Sequence, residues 1–347
     1  MRFPIKATIL LLFVASLGWV YLMAQGSQAS GYHQIHEYKL PGDTGWDYLT
    51  MDPASRRLYI SRGTHVQVLN IDSGKLEGDI PDLKGVHGIA LDRSGNKGYI
   101  SDGRDNSVVV FDLASLKSTG KVQAGTNPDA ILFDPATKRV FAFNGRSGNA
   151  TVIDTKDNSV AGTIDLGGKP EFGVSDGKGK VFVNLEDKSE TAEIDAKELK
   201  VLNHWSLKPC DSPSGLAIDV DHEVLFASCD NETMAVLDGN SGKLVKTLPI
   251  GKGTDAAAFD KGVKQAYSSN GQSGDITVIK ADSPTSLNVA GTVPTKPRAR
   301  TMTVDEKTHD LITVTADFEK APEAAAGQPR PRPKMVPDSF VVLVYHK

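Results

Sequence analysis

Cysteine is almost missing from this 347-residue chain, which has two, Cys210 and Cys229. No C-x-x-C-H stretch occurs, which excludes covalent haem attachment by that route. A P-loop, a G-x-S-x-G elbow and any quinone-cofactor signature are missing too, which sets aside Walker-type phosphate binding, elbow-type serine hydrolases and quinoprotein dehydrogenases. Gly145-Arg146-Ser147-Gly148 and Gly271-Gln272-Ser273-Gly274 resemble an elbow faintly, but they recur in register as turns between strands. There is no basic excess: 39 Lys and Arg stand against 43 Asp and Glu, for a net charge of −4. With the aromatics not interleaved among Lys and Arg, nucleic acid is not an expected partner.

The first 30 residues stand apart from the rest. Arg2 and Lys6 precede an uncharged apolar run from Ala7 to Ala24, followed by the small, polar QGSQAS. Residues 1–30 therefore read as a signal peptide and short linker, and place the protein in the periplasm or outside the cell. An uncleaved anchor is the alternative, because the run nearly spans a bilayer, and it would be the only membrane association. In an oxidising compartment the two cysteines read as a disulfide. Cys210 lies just before one strand and Cys229 ends the next, so an antiparallel hairpin brings them level. The bond would close a loop of about 20 residues and contribute on the order of 3 kcal/mol.

What is present from residue 31 onward is repetition. The stretch from Pro128 to Lys169 contains four short β-rich runs, AILFD, RVFAFN, NATVID and VAGTIDLG, separated by turn clusters. An acidic residue closes the first run of each copy, at Asp52, Asp92, Asp134, Asp176, Asp219, Asp260 and Asp305. Successive spacings of 40, 42, 42, 43, 41 and 45 residues are those of propeller blades. The fold class is all-β: a seven-bladed β-propeller of four-stranded antiparallel blades, forming one domain over residues 31–347.

The last copy stops after its third strand, near His346. The segment HQIHEYKLP, residues 33–41, precedes the first copy and is expected to supply the missing strand, pairing the chain ends and removing exposed sheet edges. A Pro-rich insertion at 316–338 interrupts the final copy. It reads as an extended, polyproline-like excursion, either a solvated loop or a strap over one face that offers Arg330 and Arg332.

The recurrent third strand (SVVVFD, NATVID, MAVLD), the turns after it (Asp72-Ser73-Gly74-Lys75 and Asp238 to Lys243) and the N-x-P lead-in at Thr126-Asn127-Pro128 resemble the seven-bladed YVTN-type propellers. Within that group the chain resembles in particular the exported YncE-like proteins of bacteria, and the WD40-like repeat is a related pattern. The YVTN tetrapeptide itself is replaced by YISR, YISD, FAFN, FVNL and FASC. The resemblance covers the chain beyond the leader and implies a binding platform with few assigned activities.

In a propeller the first strand of each blade lines the central channel. Counting back from the closing Asp puts Asp47, His87, Asp129, Glu171, Ser214, Asp255 and Arg300 at the channel mouth. A ring of like charges raises carboxylate pKa values unless a cation or Arg300 compensates. The mouth is thus a candidate site for a divalent cation, with Asp129 and Glu171 as leading metal ligands, or for a cationic ligand. Oxygen ligands with one His suit Ca²⁺, Mg²⁺ or Mn²⁺. Arg104 and Arg146, on loops ending at the same face, are not required by any turn and are further candidates for ligand contact. A polar funnel that merely holds water is the plainer reading, and activity at the mouth requires that side chains not fill it.

Two functions follow. The first is an exported binding or scaffold module, expected to be a monomer, that engages a small molecule or protein partner around the mouth. The second is a metal-dependent hydrolase of lactonase type, with ligands among Asp47, Asp129, Glu171 and Asp255 and with His87 as base.

Overall fold

The computed structural model describes residues 30–322 and 333–347. The expected leader therefore lies outside the described residues except for Ser30, as do Arg330 and Arg332.

Among the described residues, twenty-eight strands form seven four-stranded antiparallel sheets. Six blades are contiguous in sequence, and the inner strands lie against one another in order around the ring, with the seventh against the first. The seventh blade is composite. Its inner three strands are Met302–Asp305, Asp310–Thr315 and Val341–His346, and its outermost is His33–Lys39 from the start of the chain. His33 stands opposite His346 and Lys39 opposite Val341. The ring closes as the missing strand required.

Beyond that ladder the seam is held by specific contacts. The Leu40 N–H donates to the Phe340 carbonyl at 3.0 Å, and the Gly42 N–H to Asp338 Oδ1 at 2.9 Å. Arg62 is fully buried, with its guanidinium 3.9 Å from the centre of the Phe340 ring. It donates to Gln67 Oε1 at 2.7 Å and to the Thr44 carbonyl at 3.1 Å, while burial pulls its pKa down to about 10.

No single core exists. Seven apolar clusters each fill the gap between two neighbouring blades. Phe141, Phe143 and Val152 of the third blade, for example, meet Val181, Val183 and Ile194 of the fourth. Middle strands such as RLYIS and RVFAF are covered on both faces, so their apolar residues run on without alternation.

The closing aspartates are buried, at 0 to 7% exposure. Each takes backbone N–H groups of the turn that follows: Ala54 to Asp52, Gly95 to Asp92, Thr137 to Asp134, Lys178 to Asp176, Asp221 to Asp219, Gly262 to Asp260 and Lys307 to Asp305. Their recurrence in the sequence is thereby explained as turn capping.

Cys210 and Cys229 form a disulfide with Cα atoms 5.6 Å apart. Cys229 ends its strand opposite Pro213, which brings it level with Cys210.

The middle of the Pro-rich insertion lies outside the described residues. Its described ends form a short antiparallel ladder, with Phe318 opposite Met335, Glu319 N–H donating to the Lys334 carbonyl and Val336 N–H to that of Asp317, both at 2.9 Å. The pairing uses the proline-free stretches 317–319 and 334–336, where N–H donors exist.

Candidate functional site

Backbone irregularity aims the mouth side chains. In blades 2 to 6 the inner strand slips register between Val86 and Ile89, Pro128 and Ile131, Pro170 and Gly173, Pro213 and Leu216, and Thr254 and Ala257. His87, Asp129, Glu171, Ser214 and Asp255 therefore sit in bulges, freed from the ladder and re-aimed. Asp47 and Arg300 precede their strands, which begin at Leu49 and Met302. Serines on the second strands fix several of these backbones. Ser61 Oγ accepts the N–H groups of Asp47 at 3.1 Å and Tyr48 at 2.8 Å, Ser101 Oγ that of Gly88 at 2.8 Å, and Ser269 Oγ that of Ala256 at 3.2 Å.

Six of the seven expected mouth residues form two linked groups and one separate pair. On the side of blades 1 to 3, His87 Nδ1 lies 2.6 Å from Asp47 Oδ2 and 3.6 Å from Asp129 Oδ1. On the side of blades 6 and 7, Arg300 donates to Asp255 Oδ1 at 2.7 Å and lies 3.7 Å from Asp47 Oδ1, so Asp47 joins the two groups. Glu171 stands apart, 2.8 Å from Lys169, which also pairs with Glu186. Ser214 brings no charge, and its buried Oγ has no hydrogen-bond partner among the described residues. Arg104 and Arg146 are exposed outside the ring, and neither pairs with a carboxylate among the described residues.

Burial dominates the electrostatics. It pushes Asp129 up to about 6, Asp255 to about 6 and Glu171 to about 7, with neighbouring carboxylates adding to the effect and His87, Arg300 and Lys169 opposing it. Burial pulls the His87 imidazole down, but the Asp47 hydrogen bond and the surrounding carboxylates outweigh it, so its pKa is raised. Asp255 and Asp47 hold Arg300 above its usual range.

Two aromatics that the offset count did not reach give the mouth a floor. Tyr48 and Phe172, each one residue beyond a mouth residue, stack with ring centroids 4.6 Å apart. They come from blades 1 and 4, on opposite sides of the ring, and so span the channel. The corresponding residues in the other blades are small: Gly88, Ala130, Gly215, Ala256 and Thr301. At Gly88 a Cβ would come within 3.2 Å of the backbone of Ile131 and Asp129, so the close approach of the neighbouring strand forbids a side chain. The mouth is a basin with an aromatic bottom. Its ring residues keep 19 to 46% of their side-chain surface, so filling occurs below them rather than among them.

Beside the basin opens a cleft of about 940 Å³. Asp255 and Arg300 line it together with Trp46, Arg298 and the strap residues Phe318 and Met335. A smaller cleft of about 690 Å³ lies at the other end of the inner strands, among Met51, Leu91, Ile131 and Phe133, and contains no mouth residue.

The missed residues left faint signals. Lys169 precedes Glu171 by two positions, outside the counted column, and Tyr48 and Phe172 are the only aromatics at their position in seven copies.

No family model matches the chain. Over 153 residues, 44% of its length, it is 26% identical to "Uncharacterized protein YncE" of Salmonella typhimurium, and over the same length 25% identical to the protein of that name in Salmonella typhi. The matched stretch spans 39% of each of these relatives. Among solved structures, U3-55K and the WD40 repeats of RRP9 superpose with a TM-score of 0.71 at 10% identity, covering 92% of this chain and 99% and 98% of theirs. A chain of Kuenenia stuttgartiensis hydrazine synthase superposes with a TM-score of 0.68 at 15% identity, over 78% of this chain and 92% of that one. At such identities the solved structures establish the fold alone.

Proposed function

We propose that this YncE-like seven-bladed β-propeller is an exported binding module that engages a small molecule or protein partner on the mouth face. The disulfide is compatible with export. One observation carries the reading. Carboxylates, an imidazole and a guanidinium from six blades converge half-buried above the Tyr48–Phe172 floor, at a position where the fold requires no particular residue. Holding several carboxylates in partial burial costs stability, and apolar residues would close the ring without that cost. Convergent polar groups in a concave, rigid setting are what a ligand site needs.

A metal-dependent hydrolase is the second reading, favoured by a different fact. Asp47, His87 and Asp129 offer three ligand atoms within 4.8 Å of one another, from three successive blades. This set differs from the Asp129 and Glu171 pair of the sequence reading, because Lys169 holds Glu171 aside. In such a set His87 would serve as a ligand and not as a free base. The donors suit Mn²⁺, Mg²⁺ or Ca²⁺.

One experiment separates the two. Wild type and the Asp47→Asn, Asp129→Asn double variant are screened by thermal shift against a small-molecule library, and assayed for lactone hydrolysis with added Mn²⁺, Mg²⁺ or Ca²⁺. The module reading expects compounds that stabilise wild type and not the variant, without turnover. Turnover that disappears in the variant would establish the hydrolase instead. Stabilisation equal in both proteins would remove the mouth as the site.

A further inference from the structure

We infer that the cleft beside the mouth binds a small organic anion with a flat apolar body, a ligand such as an aromatic carboxylate. The inference rests on the mouth-face reading and supplies its ligand class.

The cleft, at about 940 Å³, is of the size that takes a metabolite rather than a few waters. Its apolar wall is aromatic. Trp46 and Phe318 pack against each other with ring centroids 6.1 Å apart and planes inclined by 50°, and together form an aromatic wall against which a flat group can lie. Both rings are held in place. The Trp46 indole N–H donates to the Arg300 carbonyl at 3.4 Å and its ring rests against Phe340 at 5.4 Å, while Phe318 is tied into the strap ladder opposite Met335.

Arg298 supplies positive charge at that wall. Arg298 lies over the Phe318 ring, its guanidinium 4.3 Å from the centroid, and pairs with no carboxylate among the described residues. The adjacent Arg300 is already held by Asp255 and Asp47. A guanidinium carries its N–H groups in a planar fork, the geometry that a carboxylate accepts in bidentate fashion. One lining carboxylate, Asp230, pairs with no cation among the described residues. It comes from blade 5, beside Gly253 and Thr254 of blade 6, where there is little apolar surface for a ligand body. Aromatic surface and a guanidinium without an ion pair among the described residues thus coincide at Arg298, and the recognition they favour is of an anion carrying a ring.

The test is calorimetric titration of the full mature chain with three probes of one shape, phenylacetate, benzylammonium and benzyl alcohol, accompanied by tryptophan fluorescence. Phenylacetate should bind at least tenfold more tightly than the other two and change the fluorescence. Arg298→Gln should weaken phenylacetate about 10- to 100-fold, since a charge-assisted contact is lost. Arg298→Lys should recover part of that loss, and Trp46→Phe should remove most of the fluorescence change. Arg298 is exposed, so its variants are expected to melt with wild type. Preference for benzylammonium would overturn the inference in favour of Asp230. Phenylacetate binding that Arg298→Gln leaves intact would overturn the cleft but keep the mouth if Asp47→Asn with Asp129→Asn abolishes it. Failure of all three probes, while library compounds still distinguish wild type from that mouth variant, would reject the ligand class alone.

Discussion

At the foot of every inner strand stands the same residue, a buried aspartate that accepts backbone N–H groups of the next turn. At its head, five positions earlier, no two neighbouring blades carry the same side chain. The feet are saturated by the fold itself, and the heads project into a shared basin where they find one another. A group repeated seven times answers a need repeated seven times, and here that need is turn capping. The heads answer no such need, which is why they can be read as a site.

The sharpest way to break this contrast is to exchange like for like within one strand. Asp134 accepts the Thr137 N–H at 2.9 Å, the Thr137 hydroxyl at 2.6 Å and the Ser175 hydroxyl at 2.6 Å, and is fully buried. Asp134→Ala should cost about 2–3 kcal/mol by leaving those donors unpaired. Asp129, five residues away, has its pKa raised to about 6 by burial, so its charge opposes folding at neutral pH. Asp129→Asn should therefore stabilise by about 1–2 kcal/mol. Denaturant melts of both variants at pH 7.5 decide the matter, and a loss in both would mean that head and foot do the same work.

Acid offers a second probe of the same difference. With folded pKa values near 6 to 7 for Asp129, Asp255 and Glu171, the native basin binds protons that the unfolded chain releases above about pH 4. The folded state holds more protons across that window, so stability falls as pH rises from 4 to 7. His87, whose pKa is also raised, contributes stability below pH 6.5 that is lost as pH rises through its folded value, in the same sense. The melting temperature should be higher at pH 5 than at pH 7.5, and Glu171→Gln with Asp129→Asn should flatten the slope. A wild-type protein that is more stable at pH 7.5 would show the basin to be neutralised already.

How much of this the chain discloses before folding follows the same division. The feet are legible because a capped turn needs a short acidic side chain at a fixed place, and seven turns print it seven times. The composite blade is legible because six complete copies make a three-stranded seventh conspicuous, and the disulfide because a hairpin has known geometry. The heads can be located by counting back, but not their pairing. Whether Glu171 meets Asp129 or Lys169 depends on side-chain reach across a curved surface. The Tyr48–Phe172 floor is hidden for a stronger reason: its partners come from blades 1 and 4, whose spatial relation exists only once the ring closes. The strap ladder was obscured by composition, since prolines punctuate the segment while the pairing uses proline-free stretches near its two ends.

The smallest expected effect tests whether the heads are aimed or merely placed. Ser61, fully buried, accepts the N–H groups of Asp47 and Tyr48 and so fixes in one stroke the carboxylate that joins the two mouth groups and one half of the aromatic floor. Ser61→Ala removes one hydroxyl and should cost about 1 kcal/mol, less than the loss of any foot. Its signature lies elsewhere. If the hydroxyl aims Asp47, the 2.6 Å contact with His87 should loosen, and the His87 pKa, held up by that hydrogen bond, should fall when followed by NMR titration. An unchanged titration with the same small loss of stability would mean that strand closure alone sets the position of Asp47, and that the serine recurs only to satisfy the backbone.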